Sequence, residues 1–500
     1  MRSWDLVLAV EPGSEAPLYQ RIAAAVEVEV QRGRLRVGER LPSSRALADS
    51  LGVNRNTVVA AFEELRRAGV IEGRTTAGTF VARPRRQAES PPALLGFALP
   101  PSLPTQQPAP RSPGTLLLLG GVPDLRLLPV RELGRAYARA LRGARGRRAL
   151  DYGDPAGTDR LRTALAELFA RTRGLTTTPS GLAVVRGSQQ GLYLTARALF
   201  APGDRVAVET PGYPPTWAAL RLAGAVPVPV PVDGEGLDVD ALERRCAEGP
   251  LRAVVVTPHH QYPTTVTLSA ERRARLVALA RRRRLVVIED DYDFEFHYDG
   301  PPVLPLAARA PDVVVYVATL SKTLAPGLRL GVVVGHPEVV ARAVAVRSWI
   351  DAQGDALGEN AVAELVEEGL LQRHARKALR AYRARRGALL DALGRHLPDA
   401  VAAPPTGGMA VWCRVPGADT AAWAARAATV GVRVQSGGGL SFDAAAGETD
   451  DAFRIGFAAC TEAELDVAVA RLASVRPSGR PLPAHGVGGV RSPAPRSDPS

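Results

Sequence analysis

Thr319-Leu320-Ser321-Lys322-Thr323-Leu324-Ala325-Pro326-Gly327-Leu328-Arg329 follows the apolar run Val313-Val314-Val315-Tyr316-Val317, and together they set the architecture. A run of β-branched residues without alternation is the pattern of a strand buried on both faces, as in a parallel sheet. Small and hydroxylated residues at the end of such a strand mark the place where open α/β sheets bind ligands. Only Lys322 and Lys377 are lysines among 63 basic residues. An amine can lose its proton and attack an aldehyde carbon to form a Schiff base, which a guanidinium cannot. Arg329 carries the planar fork that grips phosphate through two parallel hydrogen bonds. The competing reading of Lys322 is an exposed surface lysine.

Upstream, Leu285-Val286-Val287-Ile288 is a second buried-strand run, ending in Glu289-Asp290-Asp291-Tyr292-Asp293. Pyridoxal phosphate, an aldehyde on a pyridine ring, needs a carboxylate against its ring nitrogen and a donor to its ring hydroxyl. Asp290 fits the first part and Tyr292 the second, both leaving a strand end. The alternatives are an acidic loop or a magnesium site; His297 is the one zinc-type ligand beside these acids, and no metal is expected.

The 500 residues exceed one ordinary core, so at least two domains are expected. No apolar run approaches the roughly 20 residues of a membrane span, and the N-terminus lacks the order of a signal peptide, which points to a cytoplasmic protein. Cys246, Cys413 and Cys460 are widely spaced, without disulfide or zinc patterning. The net charge of +12 permits nucleic-acid binding.

Residues 15–82 read as a winged helix-turn-helix. Leu18, Ile22, Ala25, Val26 and Val30 share one helical face; Pro42 and Ser43 open a short helix ending at Leu51-Gly52; Asn54 caps a third helix with Val58, Ala61, Phe62 and Leu65 inward. Val70 to Arg74 and Gly78 to Val81 read as two strands of a wing. Asn54, Arg55, Asn56 and Thr57 then lie at the exposed start of the recognition helix, where side chains reach bases and phosphates. Ser44, Arg45, Arg74 and Thr79 are further candidates. The alternative is a plain cap and a solvated basic face.

Residues 83–113, rich in proline, glutamine and serine, read as a linker, and 475–500 as a disordered tail. Between them, 114–474 alternates strand-like runs with amphipathic helices, predicting an α/β domain whose mostly parallel sheet carries helices on both faces. Arg186-Gly187-Ser188-Gln189-Gln190 opens a helix whose N-terminus suits phosphate. Tyr213 sits in a loop that can stack an aromatic on a flat ring, or simply pack. Arg454, in Phe453-Arg454-Ile455-Gly456-Phe457, is a carboxylate clamp or a structural salt bridge.

These residues, with Thr257-Pro258-His259-His260-Gln261-Tyr262-Pro263, closely resemble fold-type I aminotransferases. The first domain, through Leu41-Pro42-Ser43-Ser44-Arg45 and Asn54-Arg55-Asn56-Thr57-Val58, resembles the GntR superfamily. The whole chain is therefore similar to the MocR family of bacterial regulators. The resemblance implies a large transferase domain with a small C-terminal α+β subdomain. It also implies roles: Lys322 bonds the cofactor aldehyde, Asp290 pairs with the pyridine nitrogen and Tyr292 with the ring hydroxyl. Ser188, Gln189, Ser321 and Arg329 hold the phosphate, Tyr213 lies by the cofactor, and Arg454 takes a carboxylate. Tyr152 would reach the partner subunit's site, which implies a homodimer. Thr265 stands where the family signature has glycine. Pro215 replaces the second carboxylate-binding arginine of the GABA-responsive member, which argues against that two-arginine clamp.

Two functions use this set of residues. One is a regulator that binds promoter DNA and responds to pyridoxal phosphate, an amino acid or an amine. The other is a working aminotransferase carrying a DNA-binding domain. The winged domain favours regulation, with little or no turnover expected.

Overall fold

The computed structural model describes residues 16–74, 78–82, 113–300, 303–442 and 449–477. Contacts divide the chain into two units, Met1–Pro108 and Ala109–Ser500.

In the first unit, α1 (Leu18–Gln31), α2 (Ser44–Leu51) and α3 (Arg55–Arg67) enclose Ile22, Val26, Leu47, Val58, Phe62 and Leu65. Local chemistry sets the ends. Ser43 Oγ accepts from Ala46 N, Asn54 Oδ1 accepts from Asn56 N, and Gly52, at φ 62°, closes α2 in the left-handed conformation. β1 (Ile71–Arg74) and β2 (Gly78–Val81) pair antiparallel, giving the expected wing. A third edge, missing from the sequence reading, lies beside them: Leu41 N donates to Thr79 O and Val81 N to Glu39 O, both at 2.9 Å.

The second unit opens with β3 (Leu116–Leu118). Its large sheet comprises β4 (Leu182–Val185), β5 (Arg205–Thr210), β6 (Val226–Asp233), β7 (Gly236–Leu237), β8 (Ala253–Val256), β9 (Val286–Asp291), β10 (Val314–Thr319) and β11 (Gly331–Val334), in spatial order β4-β11-β10-β9-β8-β5-β6-β7. β10, β9, β8, β5 and β6 run parallel, whereas β11 is antiparallel to both its neighbours and β7 folds back on β6. Successive residues of one strand feed two cores. Val254, Val287, Tyr316 and Val332 lie in one, and Val255, Ile288, Val317 and Val333 in the other, which is why the runs lack alternation.

One expected boundary moves. Glu289, Asp290 and Asp291 are inside β9 and not past its end, because Val256 pairs with Glu289, Val317 with Asp290 and Ala318 with Asp291. Ladder pairing with β10, and for Glu289 with β8 as well, together with side-chain partners for the flanking acids, overrides their low strand propensity.

The smaller sheet joins β12 (Val401–Ala402), β13 (Ala410–Arg414), β14 (Val432–Ser436) and β15 (Ala452–Gly456) to β3, in order β12-β13-β15-β14-β3. Its core shares Phe453, Ile455, Leu389, Leu393, Leu465 and Val469 with helices Leu370–His396 and Glu462–Ser474. The expected linker and tail lie outside the described residues apart from their edges; at one edge, Arg476 pairs with Asp399 at 2.5 and 2.8 Å. Among the described residues, no helix is long and apolar enough to cross a membrane, and no acid, His or Cys cluster suits a metal ion.

Candidate functional site

Alternation along β9 sorts its acids: Glu289 and Asp291 face one side of the sheet and Asp290 the other. Glu289 accepts from Leu306 N and Ala307 N, each at 2.9 Å, and Asp291 accepts the Tyr316 hydroxyl at 2.6 Å. Asp290 is buried, and its Oδ1 has no hydrogen-bond partner. Burial first, then Asp291 and Glu209, push its carboxyl up to about 7, while Lys322 pulls it the other way. A buried carboxylate oxygen without a donor is costly unless a ligand supplies one.

Lys322 stands three residues beyond β10, half-buried. Loss of water and the nearby Arg454 guanidinium bring its amine down to about 8, so an appreciable neutral fraction exists near neutral pH. Gly120 and Gly121 make the space for both cations. A Cβ on Gly121 would lie 3.2 Å from Lys322 Nζ, and one on Gly120 would lie 1.5 Å from Arg454 Nη1. These glycines were missed in the sequence; the signal was a Gly-Gly pair directly after the run Leu116 to Leu119.

Arg454 lies in β15, 1% exposed, with its guanidinium carbon 4.5 Å from the Tyr262 ring centroid. Its Nε and Nη1 have no partner, so a structural salt bridge does not account for those atoms. Tyr292 donates its hydroxyl to His260 O at 2.7 Å; burial, with Asp293, raises its phenol well above the ordinary value, and the Arg454 guanidinium, hydrogen-bonded to it, opposes that rise. The Tyr213 ring, at the start of helix Pro214–Leu222, meets Tyr262 edge-on at 4.8 Å, and burial pushes its phenol up to about 12.

A second cradle forms where helix Ser188–Leu199 begins. Gly187, at φ 78°, turns the chain into the helix without a side-chain cap, so first-turn amides face outward. A Cβ there would lie 2.9 Å from Arg329 Nη2, which itself donates to Arg186 O at 2.9 Å. Gly331, paired with Thr319, packs on Gly187 and brings the end of β10 alongside. Ser321 Oγ and Gln189 Oε1 are buried without partners, while Gln189 Nε2 donates to Pro215 O at 2.7 Å. Amides, Ser188, Ser321 and a guanidinium fork supply the kind of donors that could hold a phosphate. With an amine, an acceptor lacking its donor and a phenol beside it, the residues present fit pyridoxal phosphate.

Tyr152 is not brought to this site within one chain: it is 90% exposed. Gln353 Nε2 donates to Asp151 O at 3.3 Å, tying the segment of Tyr152 to the one that carries the exposed Trp349 and Ile350.

In the first unit, Arg45, Asn54, Arg55 and Asn56 are exposed, and Ser44, Thr57 and Thr79 partly so. Arg55 Nε lies 3.5 Å from Ser44 Oγ, joining the starts of α2 and α3. Arg74 ends β1, and its side chain is outside the described residues. Arg40 was overlooked. A Cβ on Gly78, at φ 109°, would lie 2.9 Å from Arg40 Nε, so this exposed guanidinium is laid along the wing toward its tip.

Residues 18–81 match the gntR family of bacterial regulatory proteins, and 122–472 match aminotransferase class I and II. The pyridoxine biosynthesis transcriptional regulator PdxR of Corynebacterium glutamicum is 33% identical over 81% of this chain and 85% of its own. The transcriptional regulator TauR of Rhodobacter capsulatus is 32% identical over 92% of this chain and 97% of its own. The probable rhizopine catabolism regulatory protein MocR of Rhizobium meliloti is 31% identical over 79% and 80%. Among solved structures, the α-aminoadipate aminotransferase LysN of Thermus thermophilus, complexed with N-(5'-phosphopyridoxyl)-L-leucine, superposes with a TM-score of 0.67 at 31% identity, over 73% of this chain and 92% of that one.

Proposed function

The chain belongs to the MocR-type family of transcriptional regulators, a GntR-type DNA-binding domain joined to a class I and II aminotransferase domain, and on that premise we propose that it senses amines through pyridoxal phosphate held by Lys322. The effector is pyridoxal phosphate itself or an amino acid or amine that takes the place of Lys322. The observation that carries this reading is the convergence on Lys322 of buried polar atoms without partners: Asp290 Oδ1, Ser321 Oγ, and Arg454 Nε and Nη1.

When bound, the cofactor supplies an aldehyde that condenses with primary amines and a ring that withdraws electrons. Lys322 presents a neutral amine. Asp290 would accept the ring N–H and keep that nitrogen protonated, and Tyr292 would meet the ring hydroxyl. Ser188, Gln189, Ser321 and Arg329 would hold the phosphate, and Tyr213 would lie by the cofactor. Arg454 orients an incoming carboxylate. Tyr152 completes the partner subunit's site in a homodimer whose contact face includes Trp349 and Ile350. An amine bound in place of Lys322 would leave the lysine amine free beside Gly121, and that change of charge would bias the chain between states of different DNA affinity.

Completeness of the same residue set favours one second reading, a functioning aminotransferase. Visible absorption of the full-length protein, followed through additions of pyridoxal phosphate and then a panel of amino acids and amines, separates the two. Under the sensor reading the spectrum changes once and no keto acid accumulates. Repeated keto-acid release would make turnover primary. Equal cofactor capture by Lys322→Ala would remove Lys322 from the mechanism.

A further inference from the structure

Helix Asp159–Arg173 ends at Gly174, whose φ of 64° reverses the chain and sends the last side chain inward. Arg173 is 2% exposed, its guanidinium carbon 4.3 Å from the Phe169 ring centroid, 4.7 Å from Phe294 and 5.7 Å from Tyr316. Two arms leave it. Nη2 donates to Glu295 Oε1, and Glu295 Oε2 accepts the Thr323 hydroxyl at 2.9 Å, on the residue next to Lys322. Nη1 donates to the Tyr316 oxygen, and Tyr316 gives its only hydroxyl proton to Asp291 Oδ2 at 2.6 Å, on the residue next to Asp290.

We infer that Arg173 is a positioning residue for the cofactor site, joining the segments that carry Lys322 and Asp290 from the opposite face of the sheet. The inference rests on the reading of Lys322 as the cofactor lysine. Donor and acceptor logic makes the hub specific. The Tyr316 proton is committed to Asp291, so its oxygen accepts only from a donor, and both oxygens of Glu295 are in use. Burial opposes the charge of Arg173, but Tyr316, Glu295 and Asp291 together hold the guanidinium above its ordinary value. Asp290 lies in β9 and Lys322 just past β10; besides the β9–β10 ladder, two side-chain ties join their segments, Tyr316 to Asp291 and Thr323 to Glu295, and Arg173 bonds to both.

The test is an equilibrium titration of full-length protein with pyridoxal phosphate, with the pH midpoint of the visible spectrum recorded for each variant. Thr323→Val and Tyr316→Phe each cut one arm and are expected to weaken binding about 10-fold, as a lost buried hydrogen bond does, and to move the midpoint. The double variant should lose less than the product of the two, since both arms act through one guanidinium. Arg173→Lys should recover part of what Arg173→Met loses. Single variants within twofold of wild type with an unmoved midpoint, or a double variant showing the full product, would overturn the inference. Should Arg173→Met not fold, the two single variants and their double decide the matter alone. A wild-type protein that captures no cofactor defeats the Lys322 reading and takes this inference with it; a wild type that captures it, with indifferent variants, defeats this inference only.

Discussion

Lys322 Nζ lies where a side chain on Gly121 would press on it, 3.2 Å from the position of a Cβ, and that glycine holds φ 76°. Gly121→Ala therefore meets both a strained backbone, worth roughly 1–2 kcal/mol, and a crowded amine. Cofactor capture is expected to slow about tenfold, while the fold, read by circular dichroism, stays intact. Capture at the wild-type rate would show that the amine has room to spare.

Lys322 titrates at about 8 where an ordinary lysine is at 10.5. The rate of cofactor capture should thus climb with pH and level off above about 8. A rate still climbing at pH 10 would mean an amine of ordinary basicity, and Lys322→Arg should show no capture at any pH.

Asp290 holds its proton to about 7 in the folded chain, against 3.8 for the ordinary group. Between these values the native state keeps a proton that the unfolded state has lost, so stability falls as pH rises through that window and levels off above it. In the cofactor-free protein, Asp290→Asn should remove on the order of a few kcal/mol of that decline. The comparison is the change in Tm between about pH 5 and about pH 7.5 for both proteins. Parallel slopes would put Asp290 in ionised form throughout.

Arg454 is buried with two guanidinium nitrogens lacking acceptors. Arg454→Met should raise the stability of the cofactor-free protein by about 1 kcal/mol while abolishing the spectral response to amino acids and sparing cofactor capture. A destabilised variant would reveal a structural partner for the cation.

For DNA, Arg40→Ala and Arg55→Ala should each reduce the slope of log affinity against log salt by about 0.9. Arg40→Ala should weaken operator and unrelated DNA alike, as a wing cation on phosphate does, whereas Arg55→Ala should cost more on the operator. An unchanged slope for Arg40→Ala would place its guanidinium away from the backbone.

Much of this was legible because local chemistry governs it. Caps Ser43 and Asn54 and the left-handed Gly52 bound their helices where the residues required, and the unalternated runs Leu285 to Ile288 and Val313 to Val317 fall on β9 and β10. What was not legible depends on distant pairing. Asp290 reads as a loop residue until β10 supplies its ladder partner, Val317. Arg40 belongs to the wing only through hydrogen bonds to β2, some forty residues on. Arg173 looks like any basic helix end, and its partners Glu295 and Tyr316, 122 and 143 residues away, make it a hub.

The alternation of β9 carries a consequence for descent. Three consecutive acids divide two tasks: Glu289 and, through Oδ2, Asp291 tie down the scaffold, while Asp290 turns to the other face with its Oδ1 unpartnered. A single inserted or deleted residue would exchange the faces, burying Asp290 among scaffold partners and turning Glu289 or Asp291 toward Lys322. Substitution can therefore tune this strand, but a change in its length cannot be tolerated piecemeal.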